Sequence, residues 1–402
     1  MGLDRVRAVA ERLALKPSFP VITVGGTNGK GSTCAMLEAI LDRAGYRVGC
    51  YTSPHLLTYN ERVRVSRRQA SDLELCEAFA AVEAARGEIT LTYFEFGTLA
   101  AVWHFVRIGV DVGVLEVGLG GRLDAVNVFD ADVAAITSVG IDHIEYLGPT
   151  RESIGQEKAG IYREGRPAIV GDRDPPATVG EHIARIGARP LRNGVEFRAV
   201  PEDTQWRYEG PGGLRAGLPH PALRGEYQLD NAAVVITALD CLREVLPVGA
   251  GAIREGLLTV ELAGRFQVLP GRPVTVLDVA HNPHAAERFA QALGRMEHTG
   301  RTLAVFAMLK DKDLEGVVGA VKSAVDRWYL APLPGPRGAD TPTLQRALEA
   351  AHAYDETFHF DSVASALAEA RIAAKADDRI LVFGSFLTVA QALASETLRN
   401  RR

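Results

Sequence analysis

Residues 21–37, VITVGGTNGKGSTCAML, run from an apolar stretch through a loop with four glycines, Gly25, Gly26, Gly29 and Gly31, into a helical pattern that opens at Ser32. Such a loop can wrap a polyphosphate. Glycines let backbone N–H groups turn inward as a nest, and the helix N-terminus adds positive potential. Lys30 reaches the terminal phosphates, and the Ser32 hydroxyl can sit on magnesium. The strict pattern G-x-x-x-x-G-K-[ST] is not met, because Gly31 stands between Lys30 and Ser32. The plainer reading, a glycine-rich strand-to-helix turn, needs no lysine there.

Two further apolar runs end in polar chemistry. Residues 112–117 lead into EVGLGGRLDAVN and place Glu116 near a strand end; residues 133–139 run into Gly140, Asp142 and His143. Ligands of open parallel sheets gather at the carboxyl ends of strands, so these groups should converge on the glycine loop. There Glu116 and His143 become candidate ligands for magnesium. ESIGQEKAGI, residues 152–161, sets Glu157 and Lys158 on a short helix ended by Gly160, by default a solvated face. TSPHL, residues 52–56, is by itself a turn initiated by Pro54. DVAHNPHA, residues 278–285, again joins a strand end to a helix, where Asp278, His281 and Asn282 can face a ligand lying between two domains.

Positioning those groups is the task of the surrounding elements. Short Val- and Ile-rich runs alternate with helical patterns, which is the signature of parallel βαβ units and predicts an α/β fold. Strands are expected at 20–24, 111–117, 132–137 and 167–170, with helices at 32–43 and 98–107. Between 171 and 225 the texture turns to Gly and Pro with short β-like pieces at 195–200 and 205–208, a small antiparallel excursion. Helical periodicity returns at 231–246, and 264–273 reads as a hinge, dividing the chain into domains 1–270 and 271–402. In the second, strands at 274–277, 302–306, 327–331 and 379–383 alternate with helices at 285–295, 314–325, 343–353 and 362–373, another open parallel sheet.

The length of 402 residues is enough for two or three domains, and 47% hydrophobic with 24% charged residues is ordinary globular usage. A formal charge of -5 leaves no global basic field for nucleic acid or anionic lipid. No run of 18 apolar residues occurs, and residues 1–15 read as an amphipathic helix without the apolar core of a secretory signal. Cys34, Cys50, Cys76 and Cys241 are scattered, as reduced thiols of a cytoplasmic protein are.

Taken in order, GTNGKGS (26–32), TSPHL (52–56), TYFEFGT (92–98), EVGLGGRLDAVN (116–127), GIDHIEYLG (140–148), EKAGI (157–161) and DVAHNP (278–283) resemble folylpolyglutamate synthase, often bifunctional with dihydrofolate synthase in bacteria. LKDKD (309–313) and FGSFLTVAQAL (383–393) extend the resemblance over nearly the whole chain. GKGS is shared across the Mur ligase superfamily, whereas TYFEFGT and GGRLDAVN are the more specific folate signals.

The resemblance implies a P-loop, Mur-ligase-like ATPase domain followed by a smaller Rossmann-like α/β domain. It implies ATP contacts at Asn28, Gly29, Lys30, Gly31, Asn231, Arg265 and Asp278, and magnesium held by Ser32, Ser53, Glu116, His143 and a carbamylated Lys158. Lys30, His143 and Lys158 are then the catalytic set, and Thr92, Tyr93, Phe94, Glu95, Leu123, Asp124 and Ala125 form a pterin-side pocket. The expected reaction is ATP-dependent joining of L-glutamate to a folate carboxylate through an acyl phosphate, in a monomer. Family members usually carry a further stretch ahead of the region matching Gly2-Leu3-Asp4-Arg5-Val6 that helps bind dihydropteroate, so dihydropteroate is expected to be the weaker substrate. The competing readings are a Mur-type ligase acting on another carboxylate and a P-loop NTPase switch.

Overall fold

Strands that read as unbroken apolar runs are buried at every position, because helices cover both faces of the sheet they form. The computed structural model describes residues 2–297, 299–353 and 355–396, with the backbone of 397–400. In chain order the first sheet holds β1 (Val21–Gly25), β2 (Val48–Tyr51), β3 (Val63–Val65), β4 (Arg68–Gln69), β5 (Val112–Glu116), β6 (Val133–Ile136), β7 (Pro167–Val170) and β8 (Arg189–Arg192). Their order is β4-β3-β2-β5-β1-β6-β7-β8. β1 pairs in parallel with β5 on one side and β6 on the other, so the ends of these three strands lie side by side at the point where the strand order reverses.

The sheet is not wholly parallel. β2, β3 and β4 form an antiparallel edge that no apolar run announces. The expected excursion is present as β9 (Arg198–Pro201), β10 (Gln205–Gly210) and β11 (Gly213–Pro219), an antiparallel sheet of three strands. It is fastened to helix Tyr227–Cys241 through Asp240, which accepts Arg215 Nη1 at 3.0 Å and the backbone N–H of Gly212 at 3.0 Å.

The chain divides into two compact units, residues 1–222 with 228–261, and residues 223–227 with 262–402. The second unit carries β12 (Gln267–Leu269), β13 (Val274–Asp278), β14 (Thr302–Phe306), β15 (Arg327–Leu330), β16 (Glu356–His359) and β17 (Arg379–Phe383), in the order β12-β13-β17-β14-β15-β16. The hinge expected near Gly271 falls inside this unit, because β12 pairs antiparallel with β13 across that turn. Among the described residues, no helix is long and apolar enough to cross a membrane.

One buried ion pair ties the antiparallel edge to the helix that follows the glycine loop. Glu38, on helix Lys30–Arg43, accepts Arg64 Nε at 2.9 Å and the backbone N–H of Arg67 at 3.2 Å. Arg64 in turn donates to Thr52 Oγ1 at 3.0 Å and to the Glu61 carbonyl at 2.7 Å, tying together the two ends of residues 52–61, which include the TSPHL segment. Removing one partner of such a pair strands a buried charge at a cost of about 3–5 kcal/mol, whereas replacing both by apolar residues is far milder. Glu38→Ala should therefore lose about 3–5 kcal/mol in urea unfolding, with most of it recovered in a Glu38→Met, Arg64→Met double variant.

Candidate active site

The glycine loop takes its shape from β6. Gly26 has φ +142°, and a Cβ there would come within 2.0 Å of Thr137 Oγ1, so a side chain would push β6 away. Thr27 N–H donates to the Ser138 carbonyl at 2.8 Å, and Asn28 N–H donates to Ser138 Oγ at 3.1 Å. Thr137 Oγ1 donates to the Asn28 carbonyl at 2.6 Å, and Thr27 Oγ1 accepts the N–H of Gly140 at 2.9 Å. The backbone N–H of Asn28 is thus engaged inside the protein. Helix Lys30–Arg43 starts at Gly29, in the left-handed region, with no side-chain cap. Its first N–H groups have no intrahelical partner, and its dipole favours an anion.

Two amines meet on one carbonyl. Lys30 Nζ donates to the carbonyls of Gly26 and Thr27 at 3.0 and 3.2 Å, and Lys158 Nζ donates to the same Gly26 oxygen at 3.0 Å. Lys158, on helix Arg151–Ala159, is buried rather than solvated. Burial and the nearby Lys30 charge bring its pKa down to about 7, against the pull of Asp142 and Asp124. Its neighbour Glu157 keeps the surface role, paired with Arg122 at 2.8 Å. Asp124 accepts the N–H groups of Leu119 and Val126 at 2.8 and 3.1 Å, yet burial still raises its pKa to about 6.

Glu116 ends β5, buried, and its Oε2 accepts the N–H of Ser53 at 3.0 Å. Ser32 Oγ accepts Gln228 Nε2 at 3.3 Å. His143 is exposed and sits in the left-handed region at φ 53°, its N–H donating to Asp142 Oδ1 at 2.8 Å. Among the described residues there is no cluster of three or more His, Cys, Asp or Glu side chains fit for a metal. The carboxylate of Glu116 and the hydroxyl of Ser32 are nevertheless the hard oxygen donors that magnesium takes alongside water and phosphate.

The TYFEFGT segment is helical from its second residue. Helix Tyr93–Ile108 begins after a capping box in which Thr92 Oγ1 accepts the Glu95 N–H and Glu95 Oε2 accepts the Thr92 N–H. Glu95 also pairs with Arg5 at 3.1 Å, so the polar groups of Thr92 and Glu95 are engaged in holding the helix start. Asp124 has the same part, capping the turn Ala125–Val128. Aromatic faces remain: Phe94 lies over Gly118, where a Cβ would come within 2.5 Å of its ring, and Tyr93 stands exposed, edge-on to Tyr59 at 5.9 Å. The Arg62 guanidinium covers both tyrosine rings, at 5.4 Å from Tyr93 and 5.6 Å from Tyr59. Tyr59 and Arg62 went unnoticed in the sequence, although their separation by three residues just beyond TSPHL was a usable signal.

In the second unit, Asp278 ends β13 with Oδ2 accepting the N–H of Phe266 at 2.8 Å and Oδ1 that of Ala280 at 2.7 Å. Burial raises its pKa from the usual carboxylate value, and Arg265 pulls it back. The Arg265 guanidinium lies 4.9 Å from the Phe386 ring. Asn282 caps helix Pro283–Gly294, and His281 Nδ1 lies 2.8 Å from the Val279 carbonyl.

The chain matches the Mur ligase middle domain over residues 24–239 and the Mur ligase glutamate ligase domain over residues 264–386. It is 48% identical over 394 residues to the dihydrofolate synthase/folylpolyglutamate synthase of Escherichia coli (strain K12), covering 98% of this chain and 90% of that protein. Among solved structures, E. coli FolC in complex with DHPP and ADP is similar with a TM-score of 0.94 at 48% identity, covering 100% of this chain and 94% of that one. A bifunctional folylpolyglutamate synthase/dihydrofolate synthase with Mn, AMPPNP and L-glutamate bound gives a TM-score of 0.92 at 46% identity, covering 99% of this chain and 94% of that one.

The contact between Phe94 and Gly118 yields a direct test. Gly118→Ala should displace the Phe94 ring, visible in a crystal structure of the variant, and lower stability by about 1–3 kcal/mol, the usual cost of overpacking.

Proposed function

The chain belongs to the dihydrofolate synthase/folylpolyglutamate synthase family of Mur ligases and is an ATP-dependent ligase that joins L-glutamate to folate, and we propose that the reaction runs at the glycine loop around the Gly26 carbonyl. The observation that carries this reading is the convergence of Lys30 and Lys158 on that oxygen.

A carboxylate is a poor electrophile. Its attack on the γ-phosphorus of ATP gives an acyl phosphate and ADP, and the amine of L-glutamate then displaces phosphate at the carbonyl. The helix start at Gly29, Lys30 and Gly31 cradles the phosphates, beside Asn28. Lys30 brings its positive charge to the transferring group, where charge develops. Ser32, Ser53, Glu116 and His143, with Lys158 as a carbamate, would hold a magnesium ion, which neutralises phosphate charge when bound. Asn231, whose side chain stands against Gly29, serves the nucleotide from the same unit as the loop. Tyr93, Phe94, Leu123 and Ala125 present the faces for a pterin, in folate or in dihydropteroate, while Thr92, Glu95 and Asp124 shape them.

The surroundings of Lys158 support its carbamylation. A second ammonium buried beside Lys30 is repelled, and a pKa of about 7 leaves the amine largely neutral above neutrality. The neutral nitrogen adds its lone pair to the carbon of CO2 and releases one proton, turning a repelled cation into an oxygen ligand.

The test is phosphate release from ATP with L-glutamate and either tetrahydrofolate or dihydropteroate. Folate should stimulate release only when glutamate is present, and no response to either acceptor would move the reading to a ligase for another carboxylate. Lys30→Ala should lower turnover about 10²- to 10³-fold with an unchanged melting temperature, the usual loss for one electrostatic partner of the transition state. Near-normal turnover would remove Lys30 from the mechanism. Lys158→Ala should be inactive and partly rescued by short carboxylates, and wild-type enzyme stripped of CO2 should recover under a fixed partial pressure of CO2, faster above neutrality than below it. A Lys158→Ala enzyme with full activity would return that residue to a packing role.

A further inference from the structure

Gln228 sits in the first turn of helix Tyr227–Cys241 with its side chain fully enclosed. Its Nε2 donates to Ser32 Oγ at 3.3 Å, and its Oε1 accepts Asn231 Nδ2 at 2.9 Å. Asn231, also buried, stands against the other end of the loop: a Cβ on Gly29 would lie 2.7 Å from Asn231 Oδ1. Two buried amides therefore run from Gly29 to Ser32 along the side of the glycine loop.

The two bonds are consistent with one another: Oε1 accepts from Asn231, and Nε2 is the end turned to Ser32. A serine hydroxyl has one hydrogen and two lone pairs. Gln228 takes one lone pair, and what remains is one lone pair and the hydrogen, which are the groups that a cation and a phosphate oxygen require. Without that bond the hydroxyl is a free rotor whose lone pairs sweep all three staggered positions. Packing alone would be served by a methionine of similar length.

We propose that Gln228 is a positioning residue for Ser32, holding the hydroxyl so that its remaining lone pair is presented to the divalent cation. This rests on the metal role given to Ser32 above. It is the hydrogen-bonded support that metal ligands commonly need, whose removal typically weakens metal binding about 10- to 100-fold.

The experiment measures Mn2+ binding to the full chain in the presence of ADP, by electron paramagnetic resonance, for Gln228→Met, Ser32→Ala and the double variant. ADP binding in EDTA and the melting temperature control for the fold. Gln228→Met should weaken Mn2+ binding about 10- to 100-fold with metal-free ADP binding unchanged, and the double variant should bind no more weakly than Ser32→Ala alone, since neighbours acting through one group are not additive. Losses that add, or no loss from Gln228→Met where Ser32→Ala has one, overturn the proposal. Unaltered Mn2+ binding by Ser32→Ala overturns the metal role of Ser32 itself and the proposal with it. Should Gln228→Met fail to fold, the side-chain amide 15N–1H signal of Gln228 decides: it should shift between wild type and Ser32→Ala, and an unmoved signal overturns the bond.

Discussion

A carbonyl oxygen has two lone pairs, and at Gly26 both are taken by lysine amines from opposite parts of the chain. The rest of the first unit is organised by that requirement. Lys158 lies 132 residues from Gly26 in sequence, so helix Arg151–Ala159 has to be held under the loop for the bond to exist. The parallel order around β1 achieves this by setting the ends of β5 and β6 on either side of the loop. Two ammonium groups that close together in a buried place are electrostatically unstable. Burial, and after it the Lys30 charge, lower the pKa of Lys158, and Asp142 and Asp124 offset only part of this.

One buried aspartate in each unit is held in the same way. Asp124, which caps the turn Ala125–Val128, and Asp278, which ends β13, each accept backbone N–H groups from two residues. Those bonds fix where the oxygens point, and burial keeps both pKa values above the ordinary aspartate range nonetheless. Orientation without full solvation is what lets such groups meet a ligand with little reorganisation.

The parts of this arrangement that follow a period were legible in the sequence. Fully buried strands such as β1, β5 and β14 announce themselves as Val- and Ile-rich runs, and the change of texture after residue 171 marked the antiparallel excursion. The edge β2–β4 did not, because its strands are short and Arg64 stands inside it, made tolerable only by Glu38 from another element. The capping box of Thr92 and Glu95 is a local pattern, Thr followed three residues later by Glu, and is readable in the sequence. The burial of Lys158 was not readable from the pattern: a polar nine-residue helix gives no sign that its one lysine turns inward, and only the resemblance placed Lys158 at the site. The hinge was displaced for a similar reason, since the pairing of β12 with β13 makes residues that look like a linker part of the second sheet.

The pair of Glu38 and Arg64 also bears on temperature. Hydration of charged groups becomes less favourable as temperature rises, so the penalty for keeping a pair out of water shrinks on heating, while apolar stabilisation per unit area levels off. The tie between the TSPHL segment and helix Lys30–Arg43 should then hold its relative strength near the melting transition better than the apolar packing around it. The outer strands of the second unit have no comparable enclosed ion pair among the described residues: Arg327 and Glu356, which link β15 to β16, are a solvent-facing pair. Heat should accordingly loosen that edge before it disturbs the segment that carries Ser53.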